Sequence, residues 1–255
     1  MDKLSNEFKD SLISNTEDRI EDYLELGIDS FIDDGILKDI PIVSSIVSGL
    51  KIAKNIHDRN LLMQTITFLN ELNNGTISKD RLIAYKTTIE TNQQKCEDEL
   101  GRVLLYLNSF MDKEKSIMLG KFFKAYVNQI INWNEFCEYS EIVNRLFIQD
   151  IQVLKEIFID NKDIIDDFDN RYRIDRIASI GLVNLNSSSR YYSEDEELLL
   201  DNFTIAKTEI SEKFVNIIFN QGANYVWWRN TWKSNNGTII RIKLWNNKWI
   251  WARKR

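Results

Sequence analysis

Apolar residues recur at three- and four-residue spacing through the first 160 residues of this chain. Leu4, Phe8 and Leu12 begin the pattern, and a similar apolar stripe runs through residues 41–56. This spacing is typical of helices that bury one face, whereas half-buried strands alternate apolar and polar residues. No alternating stretch precedes residue 180. We therefore expect a mainly α protein in which residues 1–149 form an N-terminal helical bundle.

Polar and glycine interruptions divide this region into helices. The pattern predicts helices over 79–96, 96–110, 115–131 and 135–158. Gly120 lies inside the third of these, where a glycine costs about 1 kcal/mol relative to alanine. We expect close packing against a neighbouring element to require this glycine.

A different order of elements begins near residue 150. The sequence predicts a short helix over 171–180 ended by Gly181, a strand over 182–185, a returning strand over 198–205, and a helix over 209–219. This order, in which a helix is followed by a two-stranded hairpin and a last helix, predicts a winged-helix-like α+β unit. We assign that unit to residues 150–220.

The last 35 residues differ from the rest of the chain in charge and aromatic content. They hold six of the seven Trp and eight Lys or Arg with no Asp or Glu, a net charge of +8 (8 − 0). Residues 1–40 hold 4 basic and 12 acidic residues, a net charge of −8 (4 − 12), and the whole chain is −6. Because aromatic and β-branched residues suit strands and Asn236-Gly237 is a turn signal, residues 221–255 are predicted to form a small C-terminal antiparallel β-meander. Its expected strands cover 225–232, 238–245 and 248–253.

Alternation within the tail predicts two unlike faces. Ile240 and Ile242 fall on an aliphatic face, and Arg241 and Lys243 fall on the other face together with Trp residues. The Trp and basic residues of the tail are the candidate partner-binding site: Trp227, Trp228, Arg229, Trp232, Arg241, Lys243, Trp245, Lys248, Trp249, Trp251 and Arg253.

Several partners suit such a surface. The expected one is an unidentified protein, and nucleic acid is an alternative because Lys and Arg contact phosphates while Trp stacks on bases. An anionic membrane surface is another, with Trp at the level of the lipid headgroups. The Trp rings can also form a core or the interface of a homo-oligomer, and the tail can dock on its own acidic N-terminal helices.

The chemically active residues argue against most enzyme classes. His57 is the only imidazole, which excludes two-histidine metal sites, and no GxGxxG, GxxxxGK[ST] or GxSxG motif occurs. Cys96 and Cys137 lack CxxC spacing and are expected to be reduced thiols. We expect a non-enzymatic protein with no cofactor and no metal. The alternative is a magnesium site built from carboxylates, namely Glu97, Asp98 and Glu99 with Glu138 or Glu141.

The chain also lacks the usual signals for export. Its first residues are polar and acidic, unlike a signal peptide, and no run reaches the ~20 apolar residues that span a bilayer. We expect a cytoplasmic protein. Membrane association through the small-residue helix over 41–56 is the alternative.

Two sets of segments resemble known bacterial proteins. The first set is similar to a widespread group of uncharacterised bacterial helical proteins: Ile40-Pro41-Ile42-Val43, Asp58-Arg59, Leu61-Leu62, 68–72 and 119–126. The second set resembles the C-terminal winged-helix half of abortive-infection-type bacterial proteins: 177–183, Phe203-Thr204-Ile205 and 214–218. The resemblance implies a bacterial or phage source and a role in phage–host conflict, and it supplies no catalytic residue. The basic, Trp-rich tail departs from that group, as does Glu209-Ile210-Ser211-Glu212 where a glycine is typical.

These observations predict a non-enzymatic effector or interaction protein of phage–host conflict that binds a macromolecular partner through its tail. One alternative is a winged-helix DNA-binding regulator, in which Arg171, Arg173 and Arg176 would enter the major groove. Another is a membrane-perturbing effector that combines the helix over 41–56 with the tail.

Overall fold

The structure of the protein is a computed structural model, which describes residues 2–13, 40–49, 56–74, 77–159, 171–188, 202–219, 230–234, 237–243 and 249–253. The chain divides into two compact units, Met1–Phe219 and Asn220–Arg255. Helices predominate among the described residues, which confirms a mainly α protein. The predicted division of the first unit into residues 1–149 and 150–220 stays a prediction.

The elements of the first unit are α1 Asp2–Ile13, α2 Pro41–Gly49, α3 Ile56–Asn73, α4 Lys79–Thr91, α5 Gln93–Ser109, α6 Lys113–Val127, α7 Trp133–Arg145, α8 Ile148–Phe158, α9 Arg171–Ser179, β1 Val183–Ser188, β2 Asn202–Lys207 and α10 Glu209–Phe219. The second unit contains β3 Asn230–Ser234, β4 Gly237–Lys243 and β5 Trp249–Arg253.

The helix predicted over 115–131 covers Lys113–Val127, and two further boundaries differ from the prediction because polar side chains cap the helices. The break between α4 and α5 lies at Asn92, before the predicted break at residue 96, and the Asn92 side-chain oxygen accepts a hydrogen bond from the Lys95 N–H (3.0 Å). The single helix predicted over 135–158 was wrong. It is two helices, because the Asp150 carboxylate accepts a hydrogen bond from the Phe147 N–H (2.8 Å) and starts α8. Such acceptors satisfy the free N–H groups of a first helical turn.

Aromatic rings form much of the core of the first unit. The Phe68 ring centre in α3 lies 5.7 Å from that of Phe8 in α1 and 5.7 Å from that of Phe123 in α6. Phe123 in turn lies 5.7 Å from Phe136 in α7. All four side chains are buried. Because large rings bury much apolar area, these contacts join four helices into one core.

Helices α3 and α6 approach each other closely at Gly120. A Cβ atom on Gly120 would lie 2.8 Å from Cγ and 3.0 Å from Cβ of Glu71, and 3.4 Å from the Phe68 carbonyl oxygen. A larger residue would force the two helices or the Glu71 side chain to shift. The prediction that packing requires this glycine is confirmed.

The same crossing contains a buried ion pair. Lys124 lies one turn after Gly120, and its Nζ is 2.5 Å from Oε1 of Glu71. Both residues are 8% exposed. Because an unpaired buried charge is costly, each side chain depends on the other to remain in the core. The pair and the close contact at Gly120 thus share Glu71.

Helix α9 ends at a left-handed glycine that leads into a hairpin. Gly181 has a φ of +81°, as predicted for a C-cap glycine, and the Leu182 N–H donates to the Ile177 carbonyl (3.2 Å). Strands β1 and β2 then pair antiparallel, with Val183 opposite Lys207. The predicted pair of strands is confirmed over the described residues, and both strands extend further toward the C-terminus than expected, while 198–201 of the second predicted strand lie outside the described residues.

Helix α10 packs against α6 and α7. Its Phe214 ring centre lies 5.0 Å from that of Phe122 and 5.6 Å from that of Tyr139. At the edge of this contact, Lys213 Nζ lies 2.5 Å from Oε1 of Glu135. Helix α10 therefore shares the core of the preceding helices.

The small-residue helix α2 belongs to the same core. Ile42, Val43 and Ile46 from its apolar stripe are at most 3% exposed, and the Ile42 N–H donates to Ser11 Oγ of α1 (2.8 Å). The described first part of the stripe considered for membrane insertion is thus buried, whereas Ile56 at its end is exposed and residues 50–55 lie outside the described residues. In the part of the chain that the structure describes, no helix has both the length and the apolar character needed to cross a membrane.

The second unit contains a three-stranded antiparallel sheet in the order β3-β4-β5. The described strands follow the predicted order, residues 225–229, 244–245 and 248 of the predicted strands lie outside the described residues, and the meander over 221–255 stays a prediction. Gly237 pairs with Ser234, so it belongs to β4. Asn236 of the predicted turn lies outside the described residues.

Substitution of Gly120 by alanine tests the helix crossing. On an exposed helix this change stabilises by about 1 kcal/mol. Here the added methyl meets Glu71 Cγ at 2.8 Å, so we expect the free energy of unfolding to fall by about 1–3 kcal/mol in urea denaturation. The control is Ala84→Gly on the exposed face of α4, which measures the difference in helix propensity between alanine and glycine without a packing contact. A Gly120→Ala protein as stable as the wild type would contradict the close crossing.

Candidate functional site

The predicted partner-binding residues lie partly within the described strands. Those described are Trp232 in β3, Arg241 and Lys243 in β4, and Trp249, Trp251 and Arg253 in β5. Those outside the described residues are Trp227, Trp228, Arg229, Trp245 and Lys248.

The strand register puts the described candidates on one face of the sheet. Residues opposite each other on antiparallel strands share a face, as do residues two apart on one strand. The relevant pairs are Arg241 with Trp251, Lys243 with Trp249, and Ile239 with both Trp232 and Arg253. Three Trp positions and three basic positions therefore share what we call the Trp-basic face, defined by residues 232, 241, 243, 249, 251 and 253.

The opposite face has a different composition. Its pairs are Ile240 with Thr231 and Ala252, Ile242 with Ile250, and Lys233 with Thr238. This register agrees with the predicted aliphatic face, and the part played by either face in binding stays a prediction. Lys233 gives the opposite face a basic position that can be compared directly with Lys243.

In the first unit, Arg176 is bound to a buried carboxylate. Its Nε donates to Oδ2 of Asp150 (2.8 Å) and its Nη2 to Oδ1 (2.5 Å), and Asp150 is 0% exposed. These hydrogen bonds raise the pKa of Arg176. The guanidinium carbon also lies 4.4 Å from the centre of the Phe147 ring. Arg176 therefore links α9 to α8 through its hydrogen bonds with Asp150.

The other two arginines considered for DNA reading lie on the same helix. Arg171 Nε donates to Oδ1 of Asp175 (3.1 Å), and the Arg173 guanidinium carbon lies 5.1 Å from the centre of the Tyr172 ring. Only side chains that extend from the protein can reach base edges in a groove. The contact of Arg176 with Asp150 gives one of the three predicted DNA-reading arginines a structural role.

The carboxylates considered for a magnesium site have separate partners. Glu97 accepts a hydrogen bond from Gln93 (2.8 Å), and Asp98 accepts one from Gln94 (3.0 Å). Glu141 accepts one from the Tyr106 hydroxyl (2.9 Å). Among the described residues, no group of three or more His, Cys, Asp or Glu side chains could hold a metal ion.

Glu99 is buried between two tyrosines. Its Oε2 accepts the Tyr85 hydroxyl hydrogen bond (3.0 Å) and its Oε1 accepts that of Tyr126 (2.6 Å), while Lys95 Nζ lies 3.6 Å from Oε1. Burial, and then the neighbouring Glu99, raise the pKa of Tyr85 and of Tyr126. The cluster joins α4, α5 and α6. Sequence reasoning missed it because its members come from three different helices.

An apolar cleft of about 320 Å³ lies between α6, α8 and the end of α10. Ile117, Met118 and Ile151 contribute to its walls, and Lys121 also lines it. Lys121 Nζ donates to the Ile218 carbonyl (2.7 Å), and burial lowers the pKa of Lys121. Because lysines often bind the last carbonyls of a helix, this lysine has a structural role at the end of α10.

Comparison with known proteins finds no relative: no family model, no curated protein and no solved structure matches this chain. The function must therefore be argued from the arrangement of its own residues. That arrangement combines a mainly helical unit with buried ion pairs and a sheet with a Trp-basic face.

Asp150→Asn tests whether Arg176 has a structural role. We expect the free energy of unfolding to fall by about 2 kcal/mol, less than for a fully buried pair because the Arg176 side chain is 29% exposed. Asp175→Asn is the matched control on the exposed pair with Arg171 and should change stability by less than about 1 kcal/mol. Equal effects of the two substitutions in urea denaturation would contradict the assignment.

The Glu99 cluster predicts a loss of stability at alkaline pH. Because the pKa of Tyr85 is higher in the folded protein than in the unfolded chain, its contribution is complete below about pH 10 and declines as the pH rises further. The wild type should therefore lose its advantage over Tyr85→Phe by up to about 1.4 kcal/mol per pH unit above pH 10.

Urea denaturation at pH 9 and pH 11 measures this difference. Thr65→Val is the control, because it removes one hydrogen bond, from Thr65 Oγ1 to the Leu61 carbonyl, and no titratable group. The difference in free energy of unfolding between Thr65→Val and the wild type should be the same at both pH values. A constant difference for Tyr85→Phe as well would show that the Tyr85 hydroxyl does not titrate as expected.

Proposed function

We propose that this protein is a non-enzymatic interaction protein of phage–host conflict that binds a macromolecular partner through its C-terminal sheet. The helical unit serves as a scaffold in the cytoplasm of a bacterium. The proposed contact residues are the Trp and basic residues of the tail: Trp227, Trp228, Arg229, Trp232, Arg241, Lys243, Trp245, Lys248, Trp249, Trp251 and Arg253.

The strand register is the observation that carries this proposal. It brings Trp and basic positions from three strands, which are up to 21 residues apart (253 − 232), to a single face. Trp and Arg are the residues most enriched where interfaces derive their binding energy. A face that combines them in a unit with no acidic residue favours recognition of a negatively charged or polar partner.

The buried charges of the helical unit support its role as a scaffold. Glu71 binds Lys124 at the α3–α6 crossing, and Asp150 binds Arg176 between α8 and α9. The contacts of both pairs are internal. They give these charges a part in holding helices together.

The order of α9, the β1–β2 hairpin and α10 supports a winged-helix-like unit over 150–220 within a helical scaffold. The resemblance of 177–183 and 214–218 to abortive-infection-type proteins supports a role in phage–host conflict. The Arg176–Asp150 contact favours a structural use of this unit over direct reading of DNA. Recognition is therefore assigned to the sheet.

Substitution of two Trp positions tests the proposed function in cells. Bacteria that express the wild type should reduce plating of at least one phage in a panel. The double substitution Trp249→Ala/Trp251→Ala should restore plating, because removing a central Trp commonly weakens an interface by about 30-fold or more.

Two controls accompany the plating assay. Trp249→Phe/Trp251→Phe keeps aromatic rings at both positions and should retain most of the effect, while Lys233→Gln alters only the opposite face and should behave as the wild type. Circular dichroism of the purified proteins should show equal helix content. Full protection by a well-expressed Trp249→Ala/Trp251→Ala protein, or no effect of the wild type on any phage, would contradict the proposed function.

A further inference from the structure

The alternation of Trp and basic positions on the Trp-basic face indicates which class of partner the face binds. Along β5, Trp249 and Trp251 are two residues apart, a distance of about 6.7 Å on one face. Each has a basic position directly opposite on β4, Lys243 and Arg241 respectively, at about 5 Å. The face thus repeats a Trp position beside a basic position.

We infer that the Trp-basic face binds single-stranded nucleic acid, with bases stacking on the Trp rings and phosphates contacting the neighbouring Lys and Arg. This inference rests on the proposed function, since it names the class of partner for the same face. A single strand repeats one base and one phosphate per nucleotide, and both kinds of group are accessible. Stacking platforms with basic surroundings are the usual means by which proteins bind single strands.

Charge favours a polyanion as the partner. The tail of 35 residues carries eight basic residues and no acidic one, so it offers no negative side chain to the positive groups of a protein surface of mixed charge. A nucleic acid backbone has a uniform negative charge and releases bound cations when lysines and arginines neutralise it. The affinity should therefore depend strongly on salt.

The two-face pattern favours a nucleic acid over a lipid surface. Segments that lie in a membrane interface separate their residues, with Trp and aliphatic side chains on the lipid face and Lys and Arg on the other. In this sheet the register puts Trp249 and Lys243 on the same face. Three of the four described Ile positions lie on the opposite face, and Ile239 lies on the Trp-basic face. Intermixed aromatic and basic positions suit a ligand that itself alternates planar rings and anions.

The same reasoning predicts what the face selects. A base in a duplex is stacked on its neighbours, so a Trp ring cannot stack on it without opening the helix, and single strands should bind more tightly than duplexes. Because every base has a π face, the sequence of the strand should matter little.

Fluorescence anisotropy with the full-length protein tests the inference. The probe is a labelled oligothymidylate of about 12 nucleotides, and a labelled duplex of the same length and vesicles of phosphatidylserine and phosphatidylcholine form separate arms. The wild type should bind the single strand, with weaker binding to the duplex. Trp251→Ala should weaken binding about tenfold or more, and Trp251→Phe should retain most of it.

Salt dependence distinguishes the two faces. Lys243→Gln and Lys233→Gln remove the same charge from opposite faces. The slope of log affinity against log salt should fall in magnitude by about 0.7 for Lys243→Gln, the value for one phosphate contact on a single strand, and should be unchanged for Lys233→Gln. Equal effects of the two lysines would overturn the inference.

The remaining outcomes separate this inference from the proposed function. Absence of oligothymidylate binding, preferential binding to the duplex, or binding to vesicles alone would overturn the inference, and the proposed function would stand if the Trp249→Ala/Trp251→Ala protein still lost phage protection. Tight single-strand binding by a protein that never affects phage plating would support the inference and contradict the proposed role in phage–host conflict.

Discussion

The close crossing of α3 and α6 is the constraint on which the helical unit depends. Gly120 lets the two backbones approach until Glu71 and Lys124 form an ion pair 2.5 Å long inside the core. A buried pair of this kind destabilises strongly if either partner is lost, so it restricts the register in which the two helices can pack. The aromatic contacts of α1, α7 and α10 then assemble on the two helices that the crossing fixes.

Other buried carboxylates also join helices. Asp150 caps α8 and binds Arg176 of α9, and Glu99 joins three helices through two tyrosine hydroxyls. In each case one carboxylate satisfies several donors from different elements, which removes the cost of an unpaired buried group. The helical unit thus uses ionisable residues to define its own structure. The second unit contains no Asp or Glu, and most of its described basic positions and all of its described Trp positions lie on one face of a small sheet.

Sequence reasoning succeeded where local patterns determine the structure. Apolar spacing indicated a mainly helical protein, a packing reason was expected for Gly120 and a C-cap for Gly181, and the β1–β2 pair was predicted. It failed where a polar side chain caps a helix. The cap at Asn92 puts a helix boundary four residues before the predicted break at residue 96, and the cap at Asp150 divides the single helix predicted over 135–158. The pairs of Glu71 with Lys124 and of Asp150 with Arg176 could not be predicted, because their members meet only after the helices have packed.

The most direct test of recognition by the sheet uses the indole N–H signals of the seven Trp in a two-dimensional nuclear magnetic resonance spectrum. Trp133 is the internal reference, since it lies in α7 of the helical unit, with its ring centre 4.9 Å from that of Phe136. Titration with oligothymidylate should shift or broaden the signals of Trp232, Trp249 and Trp251 and leave that of Trp133 unchanged. A spectrum in which none of the three signals moves, or in which Trp133 moves as much as they do, would contradict binding at the Trp-basic face.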